Sequence, residues 1–194
     1  PGHRPLPPNK TVPVRIGLDL ATAARGDDLA VVGVYGEGGR VKVAFHKLWK
    51  GADRREVTRF DASLIPYLKA LQKDYLITGV WYDPWQSVML AQELSRLGIR
   101  TVPVPQTQPE LGPRGLALAN LIATGLLVLY QHPDWRNAHS GAAAKEIPQG
   151  LHIKKSGRLK VDLIVALSFV AMDAWAKPKD VGMMGWLQQE LGMA

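Results

Sequence analysis

The hydrophobic pattern of the chain changes once, near residue 50, and this change limits the folds that are open to it. Before it, apolar residues form three strand-like segments at residues 12–20, 29–35 and 40–49, the last two joined by a glycine-rich turn. After it, segments with helical spacing alternate with short apolar segments. Short joins favour an antiparallel meander, and helix–strand alternation favours parallel pairing. We therefore predict an α/β fold, in which one mixed sheet of three antiparallel strands followed by parallel strands carries helices on both faces.

The second part of the chain is predicted in more detail from apolar spacing and from proline and glycine positions. Strands are expected at residues 78–82 and 99–104, with a further short apolar segment at 126–130. A hairpin is expected at residues 151–160, turning at Ser156 and Gly157. Helices are expected at residues 55–73, 84–97, 108–124, 133–145 and 160–176.

The length of 194 residues suits one domain with a substantial core, and two small domains are the less favoured alternative. Residues 1–12 contain Pro1, Pro5, Pro7 and Pro8, a composition typical of a linker. We predict a linker remnant at residues 1–12, the main domain at 13–176 and a tail at 177–194. Because the chain starts with Pro1 rather than Met, we expect it to be one domain of a longer protein with a neighbour upstream.

Composition narrows the function classes. The absence of cysteine excludes disulfides, thiolate zinc sites and cysteine nucleophiles. The longest apolar run, residues 163–171, is about half of the roughly 20 residues that a membrane helix needs. A formal charge of +7 and a pI of about 9.7 favour contact with phosphate backbones. The composition fits a cytosolic protein that does not enter a membrane, and the positive charge alone favours nucleic-acid binding only modestly, because many basic proteins bind none.

Aspartates stand where the predicted elements end or begin. Asp19 lies near the end of an apolar strand, where a carboxylate is unexpected unless it is paired, hydrogen-bonded or bound to a metal. Asp83 follows a strand and precedes Pro84, so helix capping explains it equally well. Asp162 opens the last helix, where the helix dipole alone would favour it. Asp28, beside Asp27 in a turn, is a possible fourth member, although turn aspartates usually form local hydrogen bonds.

The aspartates considered together indicate a metal site more strongly than any one of them does alone. Asp19, Asp83 and Asp162 can converge at one edge of the sheet, with Asp28 nearby. Carboxylate oxygens are hard ligands that suit Mg²⁺ or Mn²⁺. Without a metal the carboxylates would repel one another, and at least one pKa would rise. Two such ions can hydrolyse a phosphodiester without His, Ser or Cys.

Other chemistries have little support. The sequence has no Gly-x-x-x-x-Gly-Lys-Ser/Thr loop, so it offers no P-loop ATPase site, and it has no Gly-x-Ser-x-Gly nucleophile motif. His132 and His139 could share a helix face, but two histidines without a third ligand are better interpreted as solvated. A basic cluster directly before Asp162 is expected either to contact DNA or to form a solvated hairpin; it consists of Lys154, Lys155, Arg158 and Lys160.

Four motifs, in order, resemble the nuclease domain of tailed-bacteriophage terminase large subunits, part of a DNA-packaging motor. The start of that family's domain is similar to the segment Gly17-Leu18-Asp19-Leu20-Ala21 of this chain, followed by Asp28-Leu29-Ala30-Val31-Val32. The family's second acidic motif is similar to Tyr82-Asp83-Pro84-Trp85-Gln86. The others are residues 126–129 with His132-Pro133 and Asn137-Ala138, and residues 153–155 through 160–167.

This resemblance implies an RNase H-like fold and two-metal cleavage of double-stranded, concatemeric viral DNA. It implies that Asp19, Asp83 and Asp162 are metal ligands for two Mg²⁺ or Mn²⁺ ions. It also implies an N-terminal ATPase domain, a small terminase subunit and a portal as partners in the host cytoplasm, with the isolated domain a monomer. Leu159 and Lys160 stand where some members have a His or acidic residue, so the second metal's ligands stay open.

Three other functions remain alternatives. A resolvase or transposase-type nuclease would share the metal ligands and differ in substrate. An actin-like or sugar-kinase ATPase also opens with a Gly-x-Asp strand, but Ala21-Thr22-Ala23-Ala24 lacks its phosphate-binding turn and the chain is short for two lobes. A non-catalytic DNA- or portal-binding module would keep the basic surface and show no metal-dependent cleavage. A nuclease of this class is expected to contact the DNA backbone with little base readout.

Overall fold

The structure, a computed structural model, describes residues 3–20, 28–49, 63–86, 88–157 and 159–175. In chain order the strands and helices within these ranges are β1 (Asn9–Asp19), β2 (Leu29–Glu37), β3 (Arg40–Trp49), α1 (Leu64–Asp74), β4 (Tyr75–Tyr82), a 3₁₀ turn (Pro84–Gln86), α2 (Val88–Arg96), β5 (Thr101–Pro103), α3 (Gln108–Ala123), β6 (Leu127–Val128), α4 (Pro133–Gly141), β7 (Ala142–Ile147), β8 (Gly150–Lys155) and α5 (Asp162–Trp175).

Six of these strands form one mixed sheet in the order β5-β4-β1-β2-β3-β6. The first three strands pair antiparallel, as the short joins predict. β4 returns beside β1 in parallel, and β5 and β6 extend the two edges in parallel. The RNase H-like mixed sheet predicted from the sequence is confirmed.

Helices cover both faces of the sheet, and each face has its own apolar core. On one face α1 and α2 pack against alternate residues of β1, including Ile16 and Leu18. On the other face α3, α4 and α5 pack against β2 and β3. The helix α5 is buried on nearly all sides because it lies between the sheet and α3, which explains its continuous apolar sequence.

Glycine brings α5 unusually close to the sheet. A Cβ atom on Gly17 of β1 would lie 1.9 Å from the carbonyl oxygen of Ala166, and one on Gly36 of β2 would lie 2.6 Å from that of Ala174. Since backbone atoms occupy these positions, no larger residue fits without moving the helix. The contacts also orient α5, which starts near the end of β1 and runs back across the sheet.

Two local predictions were wrong. Residues 142–145, predicted to be helical, belong to β7, and α4 ends at Gly141. The hairpin of β7 and β8 turns between Ile147 and Gly150, not at Ser156 and Gly157. Its turn lies against α3, where the backbone of Gln149 leaves no room for a Cβ on Gly112. Strand pairing and this packing override the helix preference of the alanines in β7.

Other boundaries differ by smaller amounts. β1 starts at Asn9, three residues before the predicted start, and the amide N–H of Leu6 donates to the carbonyl oxygen of Ala44 over 2.7 Å. The helix predicted from Pro84 begins as a 3₁₀ turn. The start of the helix predicted at residues 55–73 and the tail at 177–194 lie outside the described residues. None of the helices within the described ranges has the length and hydropathy that crossing a bilayer requires.

Candidate metal centre

Asp19 and Asp83 occupy matching positions on neighbouring parallel strands. Leu18 of β1 is in register with Tyr82 of β4, and each aspartate is the next residue along its strand. Parallel strands lie about 4.8 Å apart, so this register puts both aspartates at the same edge of the sheet. The edge is the carboxyl end of both strands, where open α/β sheets commonly bind ligands.

Asp162 reaches this edge through the orientation of α5. Gly17 faces Ala166, and Asp19 is two residues further along the same strand face. Asp162 is one helical turn before Ala166 and is the first residue of α5. The helix therefore presents its amino-terminal turn to the edge at which Asp19 stands.

Asp28 joins the group from the start of β2. It directly precedes Leu29 and is 6% exposed. Asp28 and Asp162 line one cleft of about 230 Å³, together with Lys160 and, from α4, Asp134 and Asn137. Of the two turn aspartates considered in the sequence, Asp28 is therefore at the candidate site, while Asp27 lies outside the described residues.

Asp83 caps a turn and is also buried. Its Oδ1 accepts a hydrogen bond from the backbone N–H of Trp85 over 3.0 Å, so it caps the 3₁₀ turn. It is also 5% exposed, and burial raises its pKa above the ordinary value of 3.8, although the Trp85 hydrogen bond opposes this shift. A cap needs only one carboxylate oxygen and no burial, so the capping role leaves the burial unexplained.

The donors at this edge have one chemical character. Asp19, Asp28, Asp83 and Asp162 offer hard anionic oxygens, and two of the four, Asp28 and Asp83, are buried. This donor set fits Mg²⁺ or Mn²⁺ and fits zinc poorly. We refer to these four residues as the acidic edge.

The basic residues predicted beside the site lie around the base of the β7–β8 hairpin. Lys155 pairs with Ala142, and Lys154 with Ala143, where the hairpin leaves α4. Both lysines are exposed. Lys160 lines the cleft with Asp162, and Arg158 lies outside the described residues.

A second cluster of titratable groups, not predicted from the sequence, lies beside the cleft. Nε2 of His46, on β3, lies 3.3 Å from Oδ2 of Asp134, and Nδ1 of His132 lies 3.4 Å from the same oxygen. The side chain of His46 is 6% exposed, and burial lowers its pKa below the ordinary 6.5, with the Asp134 hydrogen bond opposing the shift. His132 thus has partners other than His139, which is exposed. We refer to His46, His132 and Asp134 as the histidine cluster.

No protein-family model matches the chain, and no curated protein matches it by sequence. Solved structures do. The large terminase of bacteriophage HK97 aligns with a TM-score of 0.66 and 20% identity over 88% of this chain and 41% of that protein.

Isolated nuclease domains match over most of their own length. The large terminase nuclease of thermophilic phage G20c, solved with bound magnesium, has a TM-score of 0.65 and 20% identity over 89% of this chain and 90% of that one. The nuclease domain of the large terminase of Thermus phage P74-26 has a TM-score of 0.62 and 19% identity over 86% and 82%. The resemblance noted in the sequence motifs therefore extends to the three-dimensional structure, and this chain has the fold of the large-terminase nuclease domain.

Proposed function

We propose that this chain is a metal-dependent endonuclease that cleaves double-stranded, concatemeric viral DNA during genome packaging. The observation that carries the proposal is the convergence of the acidic edge: strands β1, β2 and β4 and helix α5 each bring one aspartate to the same edge of the sheet. The structural likeness to terminase nucleases, one of them solved with magnesium, supports the same function.

Asp19, Asp83 and Asp162 would hold two Mg²⁺ or Mn²⁺ ions, and Asp28 is positioned to complete their ligand set. When bound, such ions supply Lewis acids that favour attack by water and stabilise the charge on the leaving oxygen of a phosphodiester. The protein contributes rigidity, because three of the four aspartates lie directly at the ends of sheet strands and the fourth starts a buried helix.

The lysines would hold the DNA backbone beside the carboxylates. Lys160 lines the cleft with Asp162 and can balance the charge of the carboxylates and attract a phosphate. Lys154 and Lys155 extend the positive surface along the hairpin base, and Arg158 belongs to the same run of sequence. Since these side chains can reach phosphates without reading base edges, cleavage is expected to tolerate many DNA sequences.

The remaining parts of the packaging machine are proposed from the same likeness. The chain spans 41% of the HK97 large terminase, so a neighbouring N-terminal ATPase domain fits the rest of such a protein. The linker remnant predicted at residues 1–12 would then lead into the domain, with its last four residues already forming the start of β1. A small terminase subunit and a portal would be the other partners in the host cytoplasm, and the isolated nuclease domain would be a monomer.

The direct test is incubation of the chain with supercoiled plasmid in Mg²⁺, in Mn²⁺ or in EDTA. The proposal predicts nicked and linear products with either metal, none in EDTA and none for Asp19→Asn. Mapping the ends of the linear product separates this function from that of a resolvase. The proposed nuclease should leave ends scattered over the plasmid, whereas a resolvase-type enzyme should cut at a branched structure or at one sharply preferred site. Folded protein that binds DNA and cuts it with neither metal would favour a non-catalytic binding module.

A further inference from the structure

The histidine cluster joins two parts of the fold that are far apart in sequence. His46 lies on β3, on the sheet face that carries α5, in register with Val32 of the apolar core. His132 immediately precedes α4, and Asp134 is in its first turn. One ligand atom from each of the three lies within 4.8 Å of the others. We propose that they form a second metal site, distinct from the acidic edge and suited to Zn²⁺ or Co²⁺.

The distances favour a metal site over a simple hydrogen-bonded network. His46 Nε2 and His132 Nδ1 lie 3.3 Å and 3.4 Å from the same carboxylate oxygen of Asp134. Charge-assisted hydrogen bonds between nitrogen and a carboxylate are usually shorter, at about 2.7–2.9 Å. Ligands of a tetrahedral zinc ion with bonds of about 2.0–2.1 Å are separated by about 3.4 Å. The two separations to Asp134 match this ligand spacing.

The hydrogen bonds around the rings leave the required nitrogens in a form that can bind a metal. Nδ1 of His132 accepts a hydrogen bond from the backbone N–H of Asp134 over 3.2 Å, so this nitrogen is unprotonated, and metal binding would redirect its lone pair from that N–H to the ion. Nδ1 of His46 contacts the hydroxyl of Tyr130. On metal binding, Nδ1–H of His46 would donate to that hydroxyl, and Nε2 would exchange its contact with Asp134 for the ion. Metal-binding histidines are commonly oriented in this way by a partner on the second ring nitrogen.

The donor types separate this site from the acidic edge. Two imidazole nitrogens and one carboxylate suit borderline ions such as Zn²⁺ and Co²⁺, whereas an all-oxygen set suits Mg²⁺ and Mn²⁺. Three protein ligands leave a fourth position for water. The bound ion would tie β3 to the start of α4 and so fix Asp134, which also lines the cleft. The proposal does not depend on the nuclease function.

The test uses the 194-residue chain without an affinity tag, titrated with Co²⁺ in the absence of other metals. We expect visible absorption bands typical of a tetrahedral site, saturating at one ion per chain. His132→Ala should remove these bands, and Tyr130→Phe should weaken the affinity about tenfold by removing the partner of His46. His139→Ala is the matched control, since His139 is exposed on the same helix and should leave the titration unchanged.

Because the side chain of His132 is 43% exposed, its replacement should leave the fold intact, which circular dichroism checks directly. Asp19→Asn should leave the bands unchanged, which places the Co²⁺ away from the acidic edge. The proposal is overturned if the wild-type chain shows no tetrahedral bands, if His132→Ala retains them in full, or if Asp19→Asn removes them while His132→Ala does not.

Discussion

The acidic edge and the histidine cluster meet at one cleft, which Asp134 lines together with Asp28 and Asp162, yet they are built differently. The acidic edge takes its residues from the ends of β1 and β4, the start of β2 and the start of α5. The histidine cluster takes His46 from within β3 and pairs it with residues at the start of α4. One region offers only carboxylate oxygens, while the other is dominated by imidazole nitrogens.

The two sets of ligands would select their metal ions in different ways. An all-carboxylate site attracts hard ions by charge and needs buried aspartates that oppose folding when no ion is bound. A mixed site selects borderline ions by ligand type and carries less charge. The two regions are adjacent at the cleft, but each has its own set of ligand atoms.

The largest effect is expected for Asp162→Asn. Loss of one anionic ligand should remove several kcal/mol of transition-state stabilisation, which corresponds to a reduction in cleavage rate of about 10³-fold. Initial rates of plasmid nicking in Mn²⁺ measure it. Asp74→Asn is the matched control, because Asp74 is exposed at the end of α1, at the opposite edge of the sheet. Equal rates for the two variants would contradict the role of Asp162.

A second change tests how the acidic edge is held together. Gly17→Ala places a Cβ against the carbonyl oxygen of Ala166 and must push α5 away from β1. We expect the free energy of unfolding to fall by about 3 kcal/mol, measured by urea denaturation. Gly39→Ala is the control, since its Cβ meets nothing within 4 Å and only its φ of +73° is unfavourable, at about 1 kcal/mol. A smaller loss for Gly17→Ala than for Gly39→Ala would show that the contact with α5 is not constrained.

The basic residues beside the acidic edge should affect DNA binding rather than chemistry. Replacing both Lys154 and Lys155 with alanine should reduce the slope of log affinity against log salt by about 2, one phosphate contact for each lysine. Fluorescence anisotropy with duplex DNA in Ca²⁺ measures the slope without cleavage. The double variant Lys69→Ala and Lys73→Ala, on the opposite face of the sheet, should leave it unchanged. An unchanged slope for the first pair would show that the hairpin base does not contact DNA.

The two regions should respond to pH in opposite directions when no metal is present. The pKa of Asp83 is raised above 3.8, so its contribution to stability is present below 3.8 and lost as pH rises through the raised pKa. The pKa of His46 is lowered below 6.5, so its contribution is present above 6.5 and lost as pH falls through the lowered pKa.

Melting temperatures measured in EDTA from below pH 3.8 to above pH 6.5 test both directions of pH dependence. Asp83→Asn should melt higher than the wild type at neutral pH, and His46→Gln should lose less stability than the wild type on acidification below 6.5. Because asparagine keeps the oxygen that caps the Trp85 turn, a lower melting temperature for Asp83→Asn at neutral pH would contradict a destabilising buried charge at this position.

Much of the fold and of the acidic edge could be predicted from local sequence. The positions of Asp19, Asp83 and Asp162 at element ends are visible in the apolar pattern, and their convergence follows from the parallel pairing of β4 with β1 and the contact between Gly17 and α5. The short glycine-rich join likewise fixes the pairing of β2 with β3. In these cases the local signal and the tertiary structure agree.

The parts that could not be predicted depend on contacts between distant residues. His46 and Asp134 are 88 positions apart, and nothing in the pattern of β3 distinguishes His46 from a solvated strand residue. The alanines at the start of β7 favour a helix locally, and only pairing with β8 and packing of the hairpin turn on α3 make them a strand. Asp134, beside Pro133, resembles an ordinary first-turn acidic residue until the fold brings it to the cleft.

The most direct test of the acidic edge is a crystal structure of the chain soaked in Mn²⁺, with anomalous diffraction collected to locate the ions. We expect anomalous density between Asp19, Asp83 and Asp162, with Asp28 completing the ligand set. Ordered carboxylates at this edge with no anomalous density between them, in crystals that hold Mn²⁺ elsewhere, would contradict it.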